Sequence, residues 1–149
     1  MPRYNNVNTA STVSQMSSGN ANVYSYGNYY TWTAANAMTN TTTSGNTSIC
    51  PKGWRLPTGT STGEFYQLHT LNNASTYANT RILLSFPNNF VLSGAVYSGN
   101  ISSRGEVPGY WSKTNIDSAN SYVFTPTNND TFLQKASTAL GHPIRCIIN

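Results

Sequence analysis

The sequence predicts an α+β fold with two short helices and a mostly antiparallel set of short strands. Helical signals are confined to two segments before residue 75, and many short strand-like segments follow them. With 149 residues, the chain fits one domain that is large enough to bury a core. We therefore expect a single compact unit whose second half is mainly sheet.

The first predicted helix covers Thr33–Met38, which holds three alanines and ends in the Thr/Ser/Gly-rich run 39–47. The aromatic-rich stretch Val23–Trp32 precedes it, with Gly27 and Asn28 placed for a tight turn. We interpret that stretch as a hairpin or a strand entering the core.

The second predicted helix covers Ser61–Asn72. Ser61 and Glu64 have the spacing of a capping box, in which the serine oxygen accepts the N3 amide and the glutamate reaches back to the cap. Phe65 and Leu68 follow at helical spacing, so we expect both to face the core.

The predicted strands are short and broken by turn residues such as Pro87, Asn88 and Asn89. They are Ile82–Phe86, Phe90–Leu92, Val96–Tyr97, Tyr110–Lys113, Ser121–Thr125, Thr131–Leu133 and Pro143–Ile148.

The composition is typical of secreted and cell-surface binding modules. Only 8% of the residues are charged, whereas Asn, Ser and Thr fill 58 of the 149 positions, and aromatic residues are frequent. Disordered chains have high charge and few aromatics, so that class is excluded. The net charge of +4 comes from scarce acids rather than from a basic patch, which argues against a nucleic-acid partner.

The only two cysteines, Cys50 and Cys146, each lie in a strand-like segment built to be buried. We predict a disulfide between them, closing a loop of roughly 95 residues. Such a bond indicates an oxidising compartment, although Met1-Pro2-Arg3 begins no signal peptide and no apolar run could insert in a membrane. We expect an excised segment of a longer exported protein. The alternative is an intracellular, phage-encoded chain with reduced thiols.

Several motifs carry a resemblance to a known family. They are Tyr29-Tyr30-Thr31-Trp32, Cys50-Pro51-x-Gly53-Trp54-Arg55-Leu56-Pro57-Thr58, Glu64-Phe65-x-x-Leu68, Gly109-Tyr110-Trp111-Ser112 and Gly141-x-Pro143-Ile144-Arg145-Cys146-Ile147. Together they resemble the Fibrobacter succinogenes major paralogous domain, a bacterial surface module. That family is similar to the C-type-lectin-like fold of formylglycine-generating enzymes and of diversity-generating-retroelement variable proteins.

The resemblance covers about residues 24–148. It implies a C-type-lectin-like domain over 23–149. Residues 1–22 are polar, rich in Asn, Ser and Thr and without apolar periodicity, so we interpret them as an arm or linker. It also implies that Trp54 and Trp111 are core residues and that Arg55 binds buried carbonyls. A ligand-stacking role for these three residues is the less favoured alternative.

Neither a catalytic site, a metal site nor a cofactor is expected. The cysteine pair of formylglycine-generating enzymes and the calcium-binding segments of C-type lectins are missing. Asp130, beside Asn128 and Asn129, suits at best a weak calcium site. His69 has no neighbours at metal-ligand spacing, and no two carboxylates are placed by the sequence for acid–base chemistry.

The stretch between Tyr110 and Ile144 is the predicted binding face, since the related variable proteins bind through their C-terminal part. Its candidate ligand-binding residues are Lys113, Asn115, Asn120, Tyr122, Asn128, Asn129, Phe132, Gln134 and His142. His142 is interpreted as a surface contact residue rather than a base. The equally weighted alternative is an ordinary polar surface.

These observations predict a non-catalytic, secreted or cell-surface recognition module that binds a glycan or protein on another cell or surface, as in adhesion. A retroelement-diversified variable protein is one version of this function. The alternative is a structural subunit or tip domain of a surface filament or phage fibre, which forms oligomers through its N-terminal arm.

Overall fold

The structure is a computed structural model that describes residues 28–37, 48–74, 82–126 and 132–149. Within these ranges its named elements are antiparallel strands and short helices, which confirms the α+β prediction. The helices are α1 (Trp32–Ala35) and α2 (Glu64–Leu71); the strands are β1 (Trp54–Arg55), β2 (Ala95–Tyr97), β3 (Asn100–Ser102), β4 (Tyr110–Asp117), β5 (Asn120–Phe124), β6 (Leu133–Ser137) and β7 (Ile147–Ile148). The predicted arm over 1–22 lies outside the described residues, as does most of the hairpin predicted over Val23–Trp32.

Helix α1 is one turn long and is held by its cap and by its tryptophan. The Thr31 hydroxyl accepts a hydrogen bond from the Ala34 amide at 3.3 Å. Trp32 is fully buried, and its Nε1 donates to the Ser112 carbonyl at 2.9 Å. This bond fixes the helix against β4.

Helix α2 begins two residues later than a Ser61 cap requires, so the predicted capping box is wrong. Gly63 is the N-cap and contributes no side-chain hydrogen bond. The Thr58 hydroxyl instead accepts from the Glu64 amide at 3.3 Å, and the Glu64 carboxylate accepts from the Thr58 amide at 2.8 Å. Phe65 is buried and Leu68 packs beside it, as predicted.

A three-stranded antiparallel sheet, in the order β4-β5-β6, dominates the second half of the chain. Strand β5 is central and pairs Tyr122 with Lys135 and Val123 with Gln134 on β6. On its other side β5 pairs with β4 through an irregular register that contains bulges. The remaining strands form two-stranded pairs, β2 with β3 and β1 with β7.

The segment just after β6 connects these units. Gly141 bridges to Val96 of β2, and His142 bridges to Tyr30 near the start of the described chain. The Trp111 amide of β4 donates to the Pro143 carbonyl at 3.1 Å. Residues 141–143 therefore tie the N-terminal part of the domain to both β2 and β4.

The predicted disulfide fits this geometry. The Sγ atoms of Cys50 and Cys146 lie 2.08 Å apart, and the two Cα atoms lie 5.9 Å apart. The bond lies next to the β1–β7 pair, so covalent and backbone links close the domain at the same place.

Two main groups of buried side chains lie on opposite sides of the three-stranded sheet. Phe65 of α2 stacks on Phe124 with ring centroids 4.4 Å apart, within a cluster that also holds Phe90 and Tyr110. The second cluster joins the buried residues Trp32, Ala35, Leu56, Trp111 and Val123.

Several predicted strands are shifted or absent. Residues 82–84 are helical where a strand was predicted over Ile82–Phe86, and Phe90–Leu92 is not a strand. A short run of consecutive apolar residues fits a buried helical or irregular segment equally well, and Leu83 and Phe90 are both core residues. No helix in the described part of the chain is long and apolar enough to cross a bilayer.

Candidate ligand-binding surface

The three-stranded sheet carries five of the predicted binding residues, but on two faces. Asn120 and Tyr122 share one face of β5. Asn115 pairs with the buried Ser121 and Gln134 pairs with Val123, so both face the other side. Lys113 and Asn115 lie on β4, Asn120 and Tyr122 on β5, and Gln134 on β6. All five side chains are at least partly exposed. Asn128, Asn129 and Asp130 lie outside the described residues.

A hydrogen-bonded group at the β4–β5 turn, which we call the turn cluster, comprises Asn115, Asp117, Asn120 and Lys135. Asp117 Oδ1 accepts from the Ala119 amide at 2.9 Å and from Asn120 Nδ2 at 2.8 Å. Lys135 Nζ lies 3.1 Å from Asp117 Oδ2, and Asn115 Nδ2 donates to the Asp117 carbonyl at 3.0 Å. The cluster thus presents amide groups in fixed orientations around a neutralised carboxylate.

The same bonds set the protonation of this carboxylate. Hydrogen bonds from the Asn120 side chain, the Ala119 amide and Lys135 lower the pKa of Asp117 to about 2. The group is therefore ionised at neutral pH and is a weak proton acceptor.

Tyr122 lies beside the turn cluster on a rigid backbone. Its carbonyl accepts from the Ser112 hydroxyl at 2.8 Å, and its own strand position pairs with Lys135. Gly59 packs so closely against it that an added Cβ would lie 2.7 Å from the Tyr122 Cβ. The half-buried ring is consequently anchored at its base, with little room to move toward Gly59.

Phe132 and His142 were predicted to lie on the binding surface, but both are buried. Phe132 is 7% exposed and stacks on His69 with ring centroids 3.6 Å apart. His142 is 6% exposed and meets Trp111 edge to face at 4.8 Å. The sequence prediction that these rings stack on a ligand from the surface is therefore wrong.

The burial of His142 shifts its titration. Burial lowers the pKa of His142 to about 4, and the nearby Gly94 carbonyl only partly opposes this effect. Neither ring nitrogen makes a hydrogen bond of ordinary geometry within the described part of the chain. The imidazole is neutral at physiological pH. It lines a cavity of about 360 Å³ between β6 and the β2–β3 hairpin.

The two tryptophans predicted as core residues differ. Trp111 is fully buried, which confirms the prediction, and its Nε1 donates to the Tyr30 carbonyl at 2.7 Å. Trp54 is 43% exposed, so the prediction is wrong for this residue. The reason is that β1 is only two residues long and pairs with β7, which leaves one side of the indole uncovered.

The side chain of Arg55 is partly buried. Its Nη1 donates to the Leu56 carbonyl at 3.3 Å, in partly buried surroundings. Its Nη2 pairs with the Glu64 carboxylate. Partial burial acts to raise the pKa of Glu64, but the bonds from Arg55 and Thr58 outweigh it and lower the pKa to about 2.

The predicted set of site residues lacked two residues that shape the surface: Asp117 and Lys135. Asp117 could have been found, because an Asp two residues before a free amide commonly closes a turn. Lys135 required the β5–β6 register, which no local pattern provides.

Within the described ranges, no group of three or more His, Cys, Asp or Glu side chains is arranged to hold a metal ion. No protein-family model, no curated protein and no solved structure matches this chain significantly. The case for a function therefore depends on the surface itself.

Proposed function

We propose that this chain is a non-catalytic recognition module with a C-type-lectin-like fold, related to the Fibrobacter succinogenes major paralogous domain. It binds a glycan or a protein loop through the surface formed by β4, β5 and β6. It belongs to a longer exported protein that is secreted or displayed at the cell surface.

One observation carries the proposal: Asn120 and Tyr122 lie on the same face of β5, beside the hydrogen-bonded carboxylate of Asp117. Amide side chains form paired hydrogen bonds with hydroxyls or peptide groups, and Tyr provides rigid apolar contact at low entropic cost. Such a set suits neutral polar ligands.

The electrostatics of the surface point the same way. Asp117 and Lys135 neutralise each other, which leaves Lys113 as the remaining charge among these residues. A phosphate-binding surface would need several cations directed at one point. Sugars and protein loops fit better.

The two carboxyl groups with shifted pKa values also favour binding over hydrolysis. A general acid in glycoside hydrolysis needs a raised pKa, whereas hydrogen bonds lower the pKa of both Glu64 and Asp117 to about 2. The Cys50–Cys146 bond supports an oxidising location.

Screening of the protein against glycan and protein arrays tests the proposal, followed by Tyr122→Ala and Asn120→Ala variants. Both should lose binding to the ligand so found. Tyr97→Ala is the matched control, because Tyr97 is 68% exposed on the β2–β3 hairpin. Affinity should change little between low and moderate salt, since few charges are paired.

Binding that survives both substitutions but fails when residues 1–22 are deleted would contradict the proposal. That outcome would favour a filament or fibre subunit that assembles through its arm. A retroelement-diversified protein would show sequence variation among copies confined to exposed positions of β4, β5 and β6.

A further inference from the structure

A second concave surface, the Trp54 groove, lies on the side of the domain where β1 pairs with β7. It has a volume of about 450 Å³ and runs between that strand pair, the start of α2 and residues 88–90. Its walls are mainly apolar, with contributions from Pro57, Phe65, Leu68 and Phe90. A volume of this size is ordinary for a small-molecule site.

Trp54 forms one rim of the groove and is held there by its backbone. Its amide donates to the Pro51 carbonyl at 2.9 Å, and the residue pairs with Ile148 across the two strands. The indole is 43% exposed beside an apolar wall. A large aromatic in this position offers a ready face for an apolar ligand.

Arg145 provides a fixed positive charge in the same groove. Its guanidinium carbon lies 4.7 Å from the centre of the Phe90 ring, and its Nη1 donates to the Asn89 carbonyl at 3.2 Å. These contacts orient the planar group, and among the described residues they engage one of its five N–H donors.

The charges around the groove are unbalanced. The carboxylate that lines it, Glu64, is already paired with Arg55. The other ion pair of the described residues joins Lys135 to Asp117, and Arg145 takes part in neither. The groove therefore carries one cation that has no ion-pair partner among the described residues, beside apolar walls from which a bound ligand would exclude water.

We propose that the Trp54 groove binds a small organic monocarboxylate with an apolar ring or branched chain. The apolar body packs between Trp54 and the α2 wall, and the carboxylate accepts charge-assisted hydrogen bonds from Arg145. This site is separate from the β4–β6 surface and does not depend on its function.

Cyclohexylacetate and its neutral analogue cyclohexylacetamide form a matched probe pair that differs mainly in charge. Trp32 and Trp111 are fully buried, so a change in tryptophan fluorescence on titration reports on Trp54. We expect cyclohexylacetate to bind with a dissociation constant on the order of 1 mM, and the amide about tenfold more weakly. Equal affinity for the two probes would overturn the proposal. So would the absence of binding at an acid concentration about ten times the expected dissociation constant.

Substitutions then locate the site. Arg145→Gln should weaken acid binding about tenfold and remove the preference over the amide, while Arg145→Lys should retain part of it. The Trp54→Ala variant, whose binding is measured by calorimetry, should bind both probes more weakly. Lys135→Gln is the control, because it removes a cation from the turn cluster and should leave binding unchanged. Unchanged affinity in Arg145→Gln, with an unaltered melting temperature, would refute the role of the groove.

Discussion

Glu64 and Thr58 hydrogen bond to each other in both directions across the start of α2. The Thr58 amide donates to Glu64 Oε2 at 2.8 Å, and the Glu64 amide donates to the Thr58 hydroxyl at 3.3 Å. This pair does the work of a capping box with a spacing of six residues instead of three, and it joins the helix to the chain leaving β1.

Replacing Glu64 with Gln should lower the free energy of unfolding by about 1 kcal/mol at neutral pH, because a partly exposed ion pair and two hydrogen bonds are weakened. The pKa of Glu64 is lowered from 4.5 to about 2 in the folded state, so its contribution is full above pH 4.5 and is lost as the pH falls through about 2. Urea unfolding at pH 7 and pH 2 measures both effects. The exposed Glu106→Gln variant is the control. A larger loss at pH 2 than at pH 7 would contradict the assignment.

His142 should make the domain less stable in mild acid. The folded state holds the pKa of His142 at about 4, below its ordinary 6.5, so the unfolded chain binds more protons between these values. Stability is full above pH 6.5 and should fall by about 3 kcal/mol as the pH drops to 4 and below. Denaturation at a series of pH values tests this, since His142→Leu should flatten the curve between pH 6.5 and 4. An unchanged slope in that variant would assign the effect to another group.

Gly109 leaves the space that the His142 ring occupies. A Cβ added at Gly109 would lie 2.6 Å from Nδ1 and 3.0 Å from Cε1 of His142, which is closer than these atoms can approach. Gly109→Ala should therefore cost about 1–3 kcal/mol. In the double variant with His142→Ala, the loss of unfolding free energy should be smaller than the sum of the losses in the two single variants, because the clash is gone. Full additivity would show that the two sites are independent.

The two tryptophans should respond differently to truncation. Trp111→Ala removes a fully buried side chain and its bond to Tyr30, so it should cost about 3–5 kcal/mol. Trp54→Ala removes a half-exposed ring and should cost about 1 kcal/mol or less. Thermal melts of both variants give the comparison. Equal losses would mean that Trp54 is covered in solution.

The local sequence pattern was sufficient to predict those elements whose structure depends mainly on their own residues. The spacing of Phe65 and Leu68 predicted α2 and its buried face, although not its start. The strands predicted over Val96–Tyr97 and Ser121–Thr125 overlap β2 and β5. The cysteine pair was also predictable, because the chain has only two cysteines and both lie in strand-like segments.

Prediction failed where a residue's environment is made by distant parts of the chain. Trp54 and Trp111 look alike in sequence, yet the length of β1 exposes one and the sheet buries the other. Likewise, His142 follows an exposed-looking turn but is enclosed by Trp111 and Gly109. Burial of this kind depends on tertiary packing rather than on the hydrophobic periodicity of the local sequence.

The covalent link between Cys50 and Cys146 also has a mechanical consequence. These residues are separated by 96 positions, so tension on the flanking chain passes through the sulfur bridge instead of through the sheet between them. At about 3.3–3.6 Å per extended residue, the bridge withholds roughly 300 Å of contour length from stretching. A domain pulled through the chain on both sides of the bridge would therefore keep the strands between the two cysteines out of the line of force for as long as the bridge remains oxidised.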